Sequence, residues 1–198
     1  QVAADLLGIK PRIAAITERS MRGELDFEAA LRERLSLLAG LSDSDLATVY
    51  AERITEMPGA RTLVATMRRH GAFTALVSGG FSFFTGRVRA ATGFDADHSN
   101  TLEVRDGRLT GDVVGTILGR ETKLAMLERY TRERGLNSAE TLAVGDGAND
   151  LAMIRAAGLG VAFRAKPVLA SQAGASISHG DLTALLYLQG YRRDEFVA

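Results

Sequence analysis

Two apolar runs that break into glycine-rich segments at their carboxyl ends constrain this chain most. "LAVGDGANDLAMI" carries Asp146, Gly147, Asn149 and Asp150 where a buried strand gives way to a turn and then a helix, and "FTALVSGGF" exits at Ser78, Gly79 and Gly80. Both fit the strand–loop–helix pattern of a parallel α/β sheet, whose ligands bind outside the carboxyl ends of the strands. The remainder extends that pattern. Pro58 and Gly59 open a helix through His70, and helices at 81–92, 120–134 and 149–157 alternate with strands at 141–145 and 159–163. A short strand near Ile177 and a helix from Asp181 close the chain.

Two segments depart from this alternation. "TLEVRDGRLTGDVV" alternates around Asp106-Gly107, a hairpin turn signal, because both residue types tolerate positive φ. The first 55 residues read as helices only: Pro11–Ser20, Asp26–Ala39 capped by Asp26 and stopped by Gly40, and Ser42–Arg53. The expected fold is therefore α/β: a Rossmann-type parallel sheet with helices on both faces over residues 56–198, a β-hairpin insert, and a small all-helical cap over residues 1–55.

Charge and composition exclude several roles. Lys plus Arg equals Asp plus Glu at 24 each, so no global field favours nucleic acid or a membrane surface. Without cysteine there are no disulfides or thiolate metal sites. No apolar run approaches the ~20 residues of a membrane span. The expectation is a cytoplasmic enzyme acting on a small molecule, with monomer and homodimer both left open.

The strand exits hold the candidate chemistry. Asp146 sets a carboxylate at a crevice, and Mg²⁺ takes one or two carboxylates, phosphate oxygens and waters completing its shell. The competing reading is that Asp146, Asn149 and Asp150 only make Asx turns and cap the next helix. In "VSGGF", a serine hydroxyl followed by unshielded backbone N–H groups suits phosphoryl oxygens, although for an isolated Ser-Gly-Gly a capped tight turn is the favoured reading. Lys123, in "GRETKLAMLERY", reads either as a residue of a solvated helix face or as a charge offsetting a transferring phosphoryl group.

The cap supplies a separate clue. Phe27, Leu31, Leu38 and Leu41 make an apolar stripe on which Arg34 falls, and no acid lies at helical spacing from it. Arg32, by contrast, has Glu28 four residues earlier and reads as a surface pair. Arg34 pairs with an acid elsewhere in the cap, or its planar fork binds an anionic substrate enclosed between cap and core.

Together, "ITERSMRGELDFEAALRERLSLLAGL", "LVSGGFSFFTGRV", "LEVRDGRLTGDV", "LAVGDGANDLAMIRAAGLGVAF" and the closing "KPVLASQAGASISHGDL" resemble the phosphoserine phosphatases of the haloacid dehalogenase-like hydrolases over essentially the whole chain. The resemblance implies Mg²⁺-dependent hydrolysis of O-phosphoserine through an aspartyl-phosphate, the last step of serine biosynthesis. It assigns phosphate to Ser78 and Gly79, phosphoaspartate stabilisation to Lys123, and Mg²⁺ to Asp146. Asn149 contacts substrate, while Gly147 and Asp150 support the loop. Met21, Gly23 and Phe27 line the substrate pocket, and Arg34 grips the serine carboxylate.

The family's nucleophile motif, Asp-x-Asp-x-Thr, occurs nowhere in the 198 residues. On the resemblance it lies upstream on a central strand, so the 198 residues alone are expected to be an inactive fragment. A related small-molecule phosphatase or phosphotransferase, and a non-catalytic phosphoserine-binding protein, are the alternatives.

Overall fold

The computed structural model describes residues 9–22, 24–119 and 121–197, without the side chains of Lys10 and Met21. In chain order the elements are α1 (Lys10–Met21), α2 (Phe27–Ser36), α3 (Asp43–Arg53), α4 (Ala60–Arg69), β1 (Ala75–Phe81), α5 (Ser82–Thr92), β2 (Ala96–Arg105) and β3 (Arg108–Val114). They continue with α6 (Glu121–Glu133), β4 (Leu142–Gly145), α7 (Leu151–Ala156), β5 (Leu159–Phe163), α8 (Pro167–Ala170), β6 (Ala175–Ile177) and α9 (Ala184–Leu188). The expectation of an α/β fold with a parallel sheet is met. The strands form two three-stranded sheets, ordered β1-β2-β3 and β4-β5-β6.

By packing, the chain divides into two units, the first comprising residues up to Glu56, Ser78–Val88 and Asp97–Gly119. Its helices start where the sequence says they should. The Asp26 carboxylate accepts the Ala29 N–H, and Ser42 and Asp45 form a reciprocal capping box that satisfies amides with no intrahelical partner. β2 and β3 pair antiparallel, Arg105 opposite Arg108, across a turn where Asp106 and Gly107 both have positive φ.

α2 ends at Ser36, three residues before the expected Ala39, because the segment after it is drawn into pairing with the hairpin. Gly40 N–H donates to the Leu109 carbonyl, and Leu109 N–H donates to that of Leu41. The unit's core is Leu31, Leu35, Val113 and Ile117, with Leu38, Phe81 and Leu102 packed against it.

The second unit comprises Met57–Val77, Arg89–Ala96 and the chain from residue 120 onward. β4, β5 and β6 run parallel, with Leu142 opposite Leu159 and Val161 opposite Ala175. β5 is buried almost throughout, as the continuous run "LGVAF" requires of a strand covered on both sides. Ala143, Ile154, Ala162 and Leu169 form a core cluster. Gly160 is dictated by packing: a Cβ there would overlap the Ile154 carbonyl. Gly59, at φ 82°, caps α4 where any Cβ would lie 2.9 Å from Thr183 N and Asp181 Oδ1.

β4 ends its sheet and β1 ends the other. Ala75, Leu76 and Val77 of β1 line the same cavity as Leu142, Ala143 and Val144 of β4, a space of about 930 Å³ walled elsewhere by Leu63, Met67 and Leu185.

Candidate active site

In the second unit the loop after β4 is built around Asp150. Its carboxylate is 1% exposed, a position an acid occupies only when every lone pair is answered. Oδ2 accepts the backbone N–H of Asp146 and of Gly147, each at 3.1 Å, and Oδ1 accepts Lys123 Nζ. Gly145 makes room, since a Cβ there would strike the Asp150 side chain. Loop and helix α6 are thereby fastened together. Lys123, read from sequence as a residue that could sit on a solvated face, is 16% exposed and held in this ion pair.

With the loop closed around Asp150, Asp146 stands at the exit of β4 with an exposed carboxylate that has no hydrogen-bond or ion-pair partner among the described residues, while its carbonyl accepts the Lys166 N–H. Asn149 is also exposed, and its Oδ1 lies against Gly147, 2.6 Å from where a Cβ would be. The helix expected from Asn149 instead begins as a 3₁₀ turn over Ala148–Asp150 and becomes α-helical at Leu151. A single turn lets Asp150 fold back beneath the loop.

Among the described residues no group of three His, Asp or Glu could hold a metal ion. Asp150, committed to Lys123 and two amides, is no ligand. The exposed carboxylate of Asp146 is compatible with a cation that takes one carboxylate and fills its shell with phosphate oxygens and waters.

In the first unit, Ser78 and Gly79 do not form the tight turn that sequence suggested. The strand runs on through Phe81, neither Gly79 nor Gly80 has positive φ, and α5 starts at once with Ser82. Gly80 N–H donates to Ser78 Oγ at 3.0 Å, and Gly79 is exposed. Phe81, three residues beyond Ser78, packs on the Leu31–Leu35 cluster of α2, so the helix bearing Arg34 shares a core with this segment.

Arg34 is half-buried, with Nε donating to the Ala30 carbonyl at 3.1 Å and no ion pair among the described residues. Burial lowers its pKa below the ordinary arginine value. Among the described residues of the cap, the nearby acids are engaged elsewhere: Glu33 pairs with Arg19 at 2.7 Å, and Glu28 with Arg32, which also reaches Asp112. The apolar stripe itself needs correcting. Ala30, Leu31 and Leu35 are the buried residues of α2, while Phe27 at its first turn is 48% exposed, because Asp26 sets the helix start at the surface. Gly23 and the Met21 side chain lie outside the described residues.

Sequence reasoning missed Asn100 altogether. Buried in β2, it bonds to Gly79 and Gly80 on one side and Leu118 on the other. Nothing in "HSNTLEV" distinguishes it from a polar residue of a half-exposed strand.

Residues 2–155 match the haloacid dehalogenase-like hydrolase family model. The chain belongs to this family. It is 47% identical to a phosphoserine phosphatase of Streptomyces coelicolor, over 96% of this chain but 46% of that protein. It is also 47% identical to one from Streptococcus thermophilus, over 88% of this chain and 81% of its relative. The chain thus spans about half the length of the Streptomyces relative. The solved structure of a phospho-aspartyl intermediate analogue of phosphoserine phosphatase superposes with a TM-score of 0.83 at 38% identity, covering 94% of this chain and 89% of that one. Haloacid dehalogenase-like phosphatases are metal-dependent in general, in keeping with the unpartnered carboxylate of Asp146. Among the described residues no helix is long and apolar enough to cross a membrane.

Proposed function

We propose that the intact protein containing this chain is a cytoplasmic, Mg²⁺-dependent phosphoserine phosphatase that hydrolyses O-phosphoserine to serine and phosphate, the last step of serine biosynthesis. The observation that carries this is the division of labour in the "GDGAND" loop: Asp150 is spent on structure, holding Lys123 and two loop amides, which leaves Asp146 exposed and unpartnered for Mg²⁺. The relatives named phosphoserine phosphatase support it across the chain.

The reaction runs in two displacements. An aspartate carboxylate forms a P–O bond as the bond to the serine oxygen breaks, and the serine oxygen takes up a proton. Water then hydrolyses the aspartyl-phosphate. Mg²⁺, when bound at Asp146, offsets phosphoryl charge. Ser78 Oγ and the N–H groups near Gly79 hold phosphoryl oxygens. Lys123 Nζ, kept in place by Asp150, stabilises the charge that spreads over those oxygens. Asn149 and Phe27 contact the substrate from exposed positions, joined by Met21 and Gly23.

Arg34 binds the serine carboxylate: its half-buried guanidinium has no acid partner among the described residues, and its planar fork suits a carboxylate. The family's nucleophile motif does not occur in the 198 residues. Phosphate release from a panel of phosphate esters by the intact protein, with and without Mg²⁺, tests the proposed function. O-phosphoserine should be the preferred ester and activity should vanish with chelator; failure to release phosphate from it would leave only a binding role.

A further inference from the structure

The assignment of Ser78 and Gly79 to phosphoryl binding leaves open what aims their donors. Two consecutive glycines are the most freely rotating pair a chain can have, and an anion site built on their amides gains nothing unless those amides are fixed beforehand. We infer that Asn100 fixes the two peptide units that follow Gly79, which carry the N–H groups of Gly80 and Phe81, and so is a positioning residue for phosphoryl binding; this rests on the function proposed above.

Asn100 is 2% exposed and makes three hydrogen bonds to two separate stretches of backbone. Its Nδ2 donates to the Gly79 carbonyl at 3.1 Å and to the Gly80 carbonyl at 3.3 Å, and its Oδ1 accepts the Leu118 N–H at 2.8 Å. Each peptide unit is planar, and among the described residues none is cis, so a carbonyl and the N–H of the next residue point in opposite directions. Drawing the Gly79 and Gly80 carbonyls toward Asn100 therefore turns the N–H groups of Gly80 and Phe81 to the other side. The Gly80 N–H meets Ser78 Oγ there, so hydroxyl and amide share the side facing away from Asn100.

The residue type is constrained as closely as the geometry. Two carbonyls need two donors, and the Leu118 amide needs an acceptor on the same short side chain. Asparagine supplies all three in one plane, aspartate only the acceptor, leucine neither. The Leu118 bond also decides which way the amide faces, since reversing it would set Oδ1 against two carbonyls.

Asn100→Asp tests the inference in the intact protein, because it keeps the shape and the acceptor for Leu118 while replacing the donors by an anion facing two carbonyls. The probe is inorganic phosphate as a competitive inhibitor. Its Ki, and the KM for phosphoserine, should rise at least tenfold. Thr85→Val is the comparison, since Thr85 Oγ1 bonds to Asp97 and Ser99 and its loss should lower Tm without moving Ki. Should Asn100→Asp fail to fold, Asn100→Ser, too short to reach both carbonyls, should give the same rise. A Ki within twofold of the original while Ser78→Ala raises it tenfold would overturn the role of Asn100 and leave the phosphoryl site standing. An equal rise in Thr85→Val would reduce the effect to general loosening of this unit and overturn it too. If Ser78→Ala also leaves Ki unchanged, the site itself is wrong, and the inference falls with it.

Discussion

Lys123 and Asp150, 27 residues apart in sequence, form a nearly buried ion pair whose acid also holds the backbone N–H groups of Asp146 and Gly147. One carboxylate thereby positions both the cation and the loop that carries Asp146. The pair is a positioning device more than a source of net stability, since desolvating two charges offsets most of their attraction.

Breaking it from one side should therefore be costly. Asp150→Asn leaves a mostly buried ammonium without its anion and should destabilise by about 3–5 kcal/mol. Lys123→Met should cost less, because the two amides still satisfy Asp150. The double variant should fall short of the sum by roughly 0.5–3 kcal/mol. Denaturant unfolding of the three variants checks this; additive costs would mean that the residues do not act as a pair.

Asp146→Asn should behave in the opposite way. An exposed carboxylate without a partner contributes little to folding, so unfolding free energy should change by no more than about 0.5 kcal/mol. The Mg²⁺ concentration giving half activation should rise more than tenfold, about 1.4 kcal/mol. Unaltered metal dependence would remove Asp146 from the metal site.

Asp95 gives the second unit an acid-sensitive element. Burial raises its pKa, but the Thr74 N–H and hydroxyl and the Arg68 guanidinium outweigh burial and hold the carboxyl below its ordinary value. A carboxylate with a depressed folded pKa contributes stability above the unfolded value, about 3.9, and loses it as pH falls through the folded one. Asp95→Asn should accordingly destabilise at pH 7 and flatten the decline in unfolding free energy below about pH 4. A decline as steep as before would show that other carboxylates carry the acid sensitivity.

How much of this the sequence discloses depends on the range of each interaction. Asp106-Gly107 is legible because positive φ is a property of two adjacent residues, and Asp26 and Ser42 because a cap reaches only three residues ahead. The end of α2 is not, since it is decided by pairing with Leu109, some 70 residues on. Gly79 and Gly80 mislead for the same reason: taken locally they suggest a turn, yet the strand continues through them to Phe81 and both carbonyls are met by Asn100, some 20 residues on. Arg34 is the case where local reading goes furthest. An arginine with no acid at helical spacing is visible in the string, and among the described residues its half-buried guanidinium bonds to the Ala30 carbonyl and makes no ion pair.

The Arg34→Lys variant of the intact protein therefore tests the substrate assignment most directly. Lysine keeps the charge but loses the bidentate fork, so KM for O-phosphoserine should rise about 10- to 150-fold, corresponding to roughly 1.5–3 kcal/mol for a charged hydrogen bond. Hydrolysis of p-nitrophenyl phosphate, which has no carboxylate, should stay within about twofold. Equal losses on both esters would contradict the account and make Arg34 a structural residue of the helices around it.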